Sequence, residues 1–181
     1  MTNPALDPAR AFVGAPCVHA HALGFRPIHE GDLEFLCALY ASTRADELAP
    51  VPWSAPEKEA FLRAQFGLQH RYYQQTFVQA DYLLVICADE RIGRVYVTRE
   101  HGDIDLIDIA LLPAWRGRGI GTALLRELVA ESERTRRDIV LHVEPNNPAK
   151  RLYARCGFAL VENRGVYDFL RRTPQGAVSS E

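Results

Sequence analysis

The chain has 181 residues, 48% of them hydrophobic and 24% charged, which fits one globular domain whose core needs neither disulfides nor a structural metal. Its 21 Lys and Arg and 23 Asp and Glu leave a formal net charge of −2, so there is no positive field to attract nucleic acid. The longest apolar runs are far shorter than the about 20 residues that span a bilayer. We therefore expect no nucleic-acid or membrane partner.

The first residues, 1–24, are rich in Ala, Pro and Gly without periodicity, which predicts an irregular N-terminal arm. Gly14 and Pro16 interrupt the apolar stretch of this arm, so it does not have the form of a signal peptide and we expect a cytoplasmic protein. The cysteines are scattered without a C-x-x-C pair, which predicts reduced thiols and no metal site. They are Cys17, Cys37, Cys87 and Cys156.

The predicted domain, 25–172, begins with a short extended segment at 25–29 and continues into a helix. Asp32 is the predicted N-cap of this first helix, which fades near Glu47. A second helix begins after a proline-rich connection, with Ser54 as its N-cap.

From residue 80 the hydrophobic period changes to that of strands. Segments 82–87, 92–98 and 104–112 predict an antiparallel meander joined by short turns. A glycine-rich segment, 116–121, then runs directly into an amphipathic helix.

The last third of the domain predicts one more strand, a helix and a hairpin. The strand lies at 139–143, and Asn147 caps the helix that follows it. The hairpin strands are predicted at 158–161 and 166–170, and a frayed tail covers 173–181.

The glycine-rich turn is the segment with the clearest chemistry. A turn that leads into a helix N-terminus directs unpaired backbone N–H groups toward one point, where anions bind. Gly117, Gly119 and Gly121 leave the backbone open to a phosphate, and Arg116 and Arg118 add charge that can fork onto its oxygens.

Two common phosphate-binding motifs do not fit this turn. The dinucleotide motif G-x-G-x-x-G requires Gly or Ala where Thr122 stands, and a P-loop requires Lys where Gly121 stands. The residues match R-x-x-G-x-G instead. With the preceding strand and Pro113, this segment resembles the acetyl-CoA-binding motif of the GNAT superfamily of N-acetyltransferases.

A second block, 146–158, resembles the N-x-x-A-x-x-x-Y-x-x-x-G-F segment of the same superfamily. The resemblance implies an α/β (α+β) fold with a mixed, mostly antiparallel sheet of six to seven strands and helices on both faces. It also implies an N-acetyltransferase that moves an acetyl group from acetyl-CoA to a primary amine of a small molecule or a peptide by direct attack. The cosubstrate implied is acetyl-CoA, with no metal.

The resemblance implies that the pyrophosphate of the coenzyme binds the glycine turn. Pantetheine would lie in a gap between the fourth and fifth strands, and the same fourth strand would supply the oxyanion donor. The implied coenzyme contacts are Ile109, Leu111, Arg116, Gly117, Arg118, Gly119, Ile120, Gly121, Thr122, Asn146 and Asn147. Asn147 has a second interpretation as a helix cap.

Tyr153 matches the tyrosine that serves as general acid toward the coenzyme sulfur in many members of the superfamily. The competing interpretation is an aromatic ring that packs between helix and sheet. The sequence does not single out one residue as the general base. Strand alternation predicts Asp105, Ile107, Ile109 and Leu111 on one face and Leu106, Asp108 and Ala110 on the other.

Three carboxylates compete for the role of base. By register, Asp105 falls where several members of the superfamily place a catalytic acid or histidine that faces the acceptor. Asp108 could gain a raised pKa through burial. Glu144, or His142 on the same face of the next strand, could hold the acceptor amine.

The acceptor is expected against the first two helices. The candidate contacts are Trp53, Gln65, Gln69 and Tyr73. An aromatic and amide-rich wall suits a small polar amine or a peptide N-terminus, and it suits a homodimer interface equally well. A function from a different class, a catalytically idle acyl-CoA-binding module or sensor, would keep the glycine turn and need neither Tyr153 nor a base.

Overall fold

The structure is a computed structural model that describes residues 22–175. Seven strands form one sheet, in the order β1-β2-β3-β4-β5-β7-β6. The strands are β1 Leu23–Pro27, β2 Asp81–Cys87, β3 Glu90–Thr98, β4 Ile104–Leu111, β5 Ile139–Val143, β6 Ala159–Asn163 and β7 Asp168–Arg172. The helices are α1 Leu33–Leu48, α2 Ala55–Thr76, α3 Ile120–Thr135 and α4 Lys150–Arg155. Most of the predicted arm, Cys17 and most of the C-terminal tail lie outside the described residues.

Neighbouring strands of the sheet are antiparallel except β4 and β5, which run parallel. This one parallel pair is short, because only Ile104 with Ile139 and Asp105 with Val140 are in register. Beyond Asp105 the two strands separate and leave a gap in the middle of the sheet. The predicted fold class, a mixed and mostly antiparallel sheet, is confirmed.

Helices cover both faces of the sheet, as predicted. On one face, α3 and α4 enclose the larger core, in which Leu124 and Leu125 have no exposed surface. On the other face, α1 and α2 pack through Leu36 and Phe66 onto Leu84 of β2. We call these the coenzyme face and the acceptor face, after the predicted position of each molecule.

The two predicted N-caps differ in outcome. The Ser54 hydroxyl accepts from the backbone N–H of Glu57, and the Glu57 carboxylate accepts from the backbone N–H of Ser54, which is a complete capping box. Asp32 directly precedes α1 at the predicted N-cap position, but its side chain makes no hydrogen bond to the start of that helix. Its fully buried carboxylate accepts from the Arg26 guanidinium at 2.7 and 2.8 Å and from the backbone N–H of His29 at 3.0 Å.

Two boundaries in the last third also differ from the predictions. Helix α4 begins at Lys150, and Asn147 instead closes a turn in front of it by accepting from the backbone N–H of Ala149 at 2.9 Å. The second hairpin strand begins at Asp168, two residues later than predicted, because the turn extends to Tyr167, whose carbonyl accepts from Arg164 N–H at 2.8 Å.

Strand β4 contains a β-bulge that overturns the predicted alternation of its faces. Tyr96 of β3 pairs with Asp108 and Val97 pairs with Leu106, so Ile107 has no partner in β3. The extra residue returns Ile109 and Leu111 to the coenzyme face with Leu106. Asp105 and Asp108 therefore share the acceptor face instead of lying on opposite faces.

Candidate functional site

The glycine turn has the backbone conformation that its sequence requires. Gly117 and Gly119 have φ values of 72° and 82°, in the left-handed region that favours glycine. Gly119 is the N-cap of α3, so the N–H groups of Ile120, Gly121 and Thr122 lie in its first turn. Ile120 is 2% exposed, and its side chain packs into the core of the coenzyme face.

Gly121 differs from the other two glycines of the motif. A Cβ at this position would lie 3.3 Å from the Leu152 side chain of α4. Close packing of the two helices therefore favours glycine here, independently of any phosphate.

The two arginines of the turn have different partners. The Arg116 guanidinium donates from Nε to the Leu111 carbonyl at 2.8 Å and from Nη2 to Ser42 of α1. Arg118 stacks over the Trp115 ring, with 4.9 Å between its guanidinium carbon and the ring centroid. Both side chains remain exposed beside the helix N-terminus.

The backbone of β4 beyond Asp105 borders the gap. The N–H of Leu112 donates to the Ile92 carbonyl of β3 at 2.9 Å. Because backbone groups alternate in direction along a strand, those of Leu111 and Ile109 point away from β3 and toward the gap. These are the two residues predicted to pair with pantetheine.

Asn146 and Asn147 follow β5 on the far side of the gap. Asn146 is exposed in a turn, and among residues 22–175 its side chain has no hydrogen-bond partner. Asn147 has the capping-like contact described above, which supports its alternative interpretation.

Tyr153 lies in the short helix α4 and has 7% of its surface exposed. Its ring packs edge-to-face against Phe158, with centroids 5.7 Å apart. Burial raises the pKa of Tyr153, and the charge of Asp108 raises it further, so the hydroxyl stays protonated. Within the described part of the chain this hydroxyl has no hydrogen-bond partner, so it is available to a ligand.

Asp108 is held in a buried polar cluster on the acceptor face. Arg94 of β3, 3% exposed, donates to the Asp108 carboxylate at 2.8 and 3.3 Å. Arg94 also donates to Gln69 of α2 at 3.0 Å, and the Tyr73 hydroxyl lies 3.5 Å from Asp108. We call Arg94, Asp108, Gln69 and Tyr73 the Arg94 cluster.

Asp105 has a different environment from Asp108. It lies on β4 opposite Thr98 and Val140, at the point where β4 and β5 separate. In residues 22–175 its carboxylate has neither an ion pair nor a hydrogen bond. Burial raises its pKa to about 6, and the neighbouring Asp103 charge contributes to the rise.

Glu144, the third candidate base, has an arginine partner. Arg44 of α1 donates to its carboxylate at 2.9 Å and also pairs with Glu47. His142, two residues earlier on the same strand, lies 3.1 Å from the Arg164 guanidinium, and burial lowers its pKa.

The predicted acceptor residues are only partly brought together. Gln69 and Tyr73 belong to the Arg94 cluster, and Gln65 lies one helical turn before Gln69. Trp53 packs on Phe61 near the start of α2, with ring centroids 5.2 Å apart. Phe61 precedes Gln69 by two helical turns, about 12 Å along α2.

Sequence reasoning missed Arg94 and Ser42. Arg94 could have been found, because a charged residue inside an apolar strand requires a counter-charge, and Asp108 is the mid-strand carboxylate on the next predicted strand. Ser42 gives no such signal, because its contact with Arg116 depends on how α1 lies across the sheet.

Residues 22–175 contain no group of three or more His, Cys, Asp and Glu side chains that could hold a metal ion. No helix among them is long and apolar enough to cross a membrane.

Comparison with solved structures finds the same fold in several acetyltransferases. PaiA N-acetyltransferase from Thermoplasma acidophilum, solved in complex with coenzyme A, is 18% identical with a TM-score of 0.63, over 83% of this chain and 98% of that chain. An acetyltransferase from Thermus thermophilus is 21% identical with a TM-score of 0.60, over 83% of this chain and 96% of that chain. A histone acetyltransferase HPA2-related protein from Corynebacterium glutamicum is 20% identical with a TM-score of 0.58, over 87% of this chain and 98% of that chain.

A search of curated proteins gave no significant match. The family model described as "Acetyltransferase (GNAT) domain" matches residues 78–160. This range contains β2 to β5, the glycine turn, α3 and α4, and so includes both strands that border the gap. Residues 78–160 therefore match a GNAT acetyltransferase domain, and the chain has the fold of solved acetyltransferases; together these findings support an acyltransferase enzyme.

Proposed function

We propose that this acyltransferase moves the acetyl group of acetyl-CoA to a primary amine by direct attack, with Asp105 as general base and Tyr153 as general acid. The observation that carries the proposal is the unpaired Asp105 carboxylate on the acceptor face, where β4 and β5 separate. A pKa of about 6 lets this group accept a proton at neutral pH.

Acetyl-CoA is the donor that the coenzyme face suits best. The glycine turn offers backbone N–H groups and two arginines to a pyrophosphate. The gap offers the outward backbone groups of Ile109 and the outward N–H of Leu111 to the amides of pantetheine, while the Leu111 carbonyl accepts from Arg116. Coenzyme A in the complex with the Thermoplasma PaiA protein supports the same choice.

The proposed reaction has one acyl-transfer step. The acceptor nitrogen attacks the thioester carbonyl carbon, and Asp105 accepts the proton that the nitrogen loses. The oxyanion is stabilised by a backbone N–H at the Ile107 bulge, where the β3 ladder is interrupted. When the C–S bond breaks, the coenzyme thiolate takes the Tyr153 hydroxyl proton.

The other two carboxylates are less suited to the role of base. Asp108 accepts two hydrogen bonds from Arg94, and Glu144 pairs with Arg44. Both carboxylates are therefore already engaged by an arginine, whereas the Asp105 carboxylate has no partner in residues 22–175. We assign these two groups to positioning the acceptor side.

The pH dependence of Asp105 variants tests the proposal. We expect the kcat/KM of the wild type, with any working amine, to fall below about pH 6 as Asp105 becomes protonated. Asp105→Asn should lower kcat at least about 100-fold and remove this acidic limb. Asp103→Asn is the matched control: loss of the Asp103 charge should move the limb to lower pH and leave turnover near the wild-type value.

Two outcomes would contradict the proposal. A fully active Asp105→Asn variant would exclude Asp105 as the base. Absence of thiol release by the wild type with a broad set of amines, despite tight acetyl-CoA binding, would favour the acyl-CoA sensor instead.

A further inference from the structure

One guanidinium joins the coenzyme face to the helix that lies over the acceptor face. Arg116 follows β4 and begins the glycine turn, and its Nε donates to the Leu111 carbonyl at 2.8 Å. Its Nη2 donates to the Ser42 hydroxyl at 3.2 Å and to the Ser42 carbonyl at 3.3 Å. Ser42 lies in the third turn of α1, so Arg116 contacts three elements at once.

These contacts use two of the three nitrogens of the Arg116 guanidinium. Arginine has five N–H donors in a rigid planar fork. Nε and Nη2 are engaged, whereas Nη1 has no acceptor in the part of the chain that the structure describes. Because the side chain is exposed beside the helix N-terminus, the Nη1 donors are open to an anion at the turn.

The Ser42 hydroxyl is itself held in one orientation. It donates to the Leu39 carbonyl one turn earlier at 2.7 Å, so a lone pair is directed toward Arg116. Thr43, the next residue, donates in the same way to the Tyr40 carbonyl at 2.7 Å but accepts nothing from an arginine in residues 22–175. The two neighbouring hydroxyls thus differ in the contact with Arg116.

The same turn of α1 also reaches the other side of the gap. Arg44 lies two residues after Ser42 and pairs with Glu144, which follows β5. Helix α1 is therefore attached beside both strands that border the gap, at Arg116 and at Glu144.

We propose that Ser42 is a positioning residue for the coenzyme: it holds Arg116 so that Nη1 meets a pyrophosphate oxygen of acetyl-CoA. This inference rests on the proposed function, because it requires a coenzyme A donor at the glycine turn. It adds a contribution from α1, which lies outside the motif and outside the range matched by the family model. Ser42 acts only through Arg116.

Calorimetry with coenzyme A tests the inference. We expect Ser42→Ala to weaken coenzyme A binding about three- to tenfold, because one hydrogen bond to a charged group is lost while the carbonyl contact remains. Thr43→Ala, the matched control, should bind within about twofold of the wild type, and Ser42→Thr should restore affinity. Thermal unfolding of both alanine variants should show the same Tm, which separates positioning from loss of the fold.

A double-mutant cycle shows whether Ser42 acts through Arg116. Arg116→Ala should weaken binding by at least as much as Ser42→Ala, and the double variant should bind no more weakly than Arg116→Ala alone. S-acetylpantetheine, which lacks the pyrophosphate, should bind wild type and Ser42→Ala equally.

The outcomes separate the two proposals. If the wild type binds coenzyme A and Ser42→Ala binds as tightly as Thr43→Ala, the role of Ser42 is wrong and the proposed donor stands. The same conclusion follows if Ser42→Ala weakens binding equally when Arg116 is absent. If the wild type binds neither coenzyme A nor acetyl-CoA, the donor is wrong and the inference fails with it.

Discussion

The two faces of the sheet bury their side chains in different ways. The coenzyme face is closed by aliphatic side chains of α3, such as Leu124, Leu125 and Leu128, each at most 1% exposed. The acceptor face buries Arg94, Asp108 and a tyrosine-rich set beneath α2. Because an unpaired charge is costly in an apolar core, the buried Arg94 of the acceptor face is accompanied by the Asp108 carboxylate. We therefore expect the coenzyme face to depend on apolar packing and the acceptor face on a buried ion pair.

The largest effect is expected from breaking the ion pair on the acceptor face. Arg94→Met leaves Asp108, whose side chain is 14% exposed, without a counter-charge. We expect the free energy of unfolding to fall by about 3–5 kcal/mol. Urea denaturation measures it, and the double variant Arg94→Met/Asp108→Asn should recover much of the loss. A fall below about 1 kcal/mol for the single variant would show that the pair is not buried in solution.

A truncation on the coenzyme face should cost almost as much for a different reason. Leu125→Ala leaves a cavity at a side chain with no exposed surface, and we expect a loss of about 2–5 kcal/mol. Because no charge is involved, the loss should not change between low and high salt. A strong salt dependence would mean that the two faces are not energetically separate.

At Asp105 we expect a substitution to raise the free energy of unfolding instead of lowering it. Folding raises its pKa from 3.8 to about 6, so the folded state holds the proton more tightly and its ionised form destabilises the fold. The loss of folding free energy from ionised Asp105 is absent below pH 3.8, increases between pH 3.8 and about pH 6, and reaches its full value above about pH 6. Asp105→Asn should therefore stabilise the protein by about 1–2 kcal/mol at about pH 7.5, allowing for the solvent that reaches the group.

Thermal unfolding of Asp105→Asn at about pH 7.5 and about pH 4.5 checks this sign. The gain in Tm should be clear at the higher pH and small at the lower one. An equal gain at both values would show that the substitution acts through packing and not through ionisation.

The smallest effect concerns Tyr96, which lies 1% exposed between Tyr73 and Tyr82. In the described residues its hydroxyl is the one side-chain polar atom that has essentially no accessible surface and no hydrogen-bond partner. Tyr96→Phe removes this unsatisfied group and keeps the ring, so we expect a change between zero and about 1 kcal/mol of stabilisation. Destabilisation would mean that a water molecule satisfies the hydroxyl.

The two faces also differed in how far the sequence predicted them. The glycine turn and the helix that follows it depend on residues within one short segment, so the sequence pattern was sufficient to predict them. The faces of β4 were wrongly predicted because a bulge at Ile107 changes the alternation without changing the hydrophobic pattern. Asp32 takes the predicted N-cap position, but its side chain pairs with Arg26 of β1, a contact that the local sequence does not indicate. Contacts made by distant segments leave no periodic signal.

The short parallel pairing of β4 and β5 gives this sheet an unusual number of open borders. An ordinary open sheet has two outer edges, here β1 and β6. Since β4 and β5 pair at only two positions, each presents a further length of unpaired backbone inside the sheet. Such edges normally invite association with other chains. The pairing of β4 with β5 closes this border at Asp105, and under the proposed function its open length pairs with the amide groups of pantetheine.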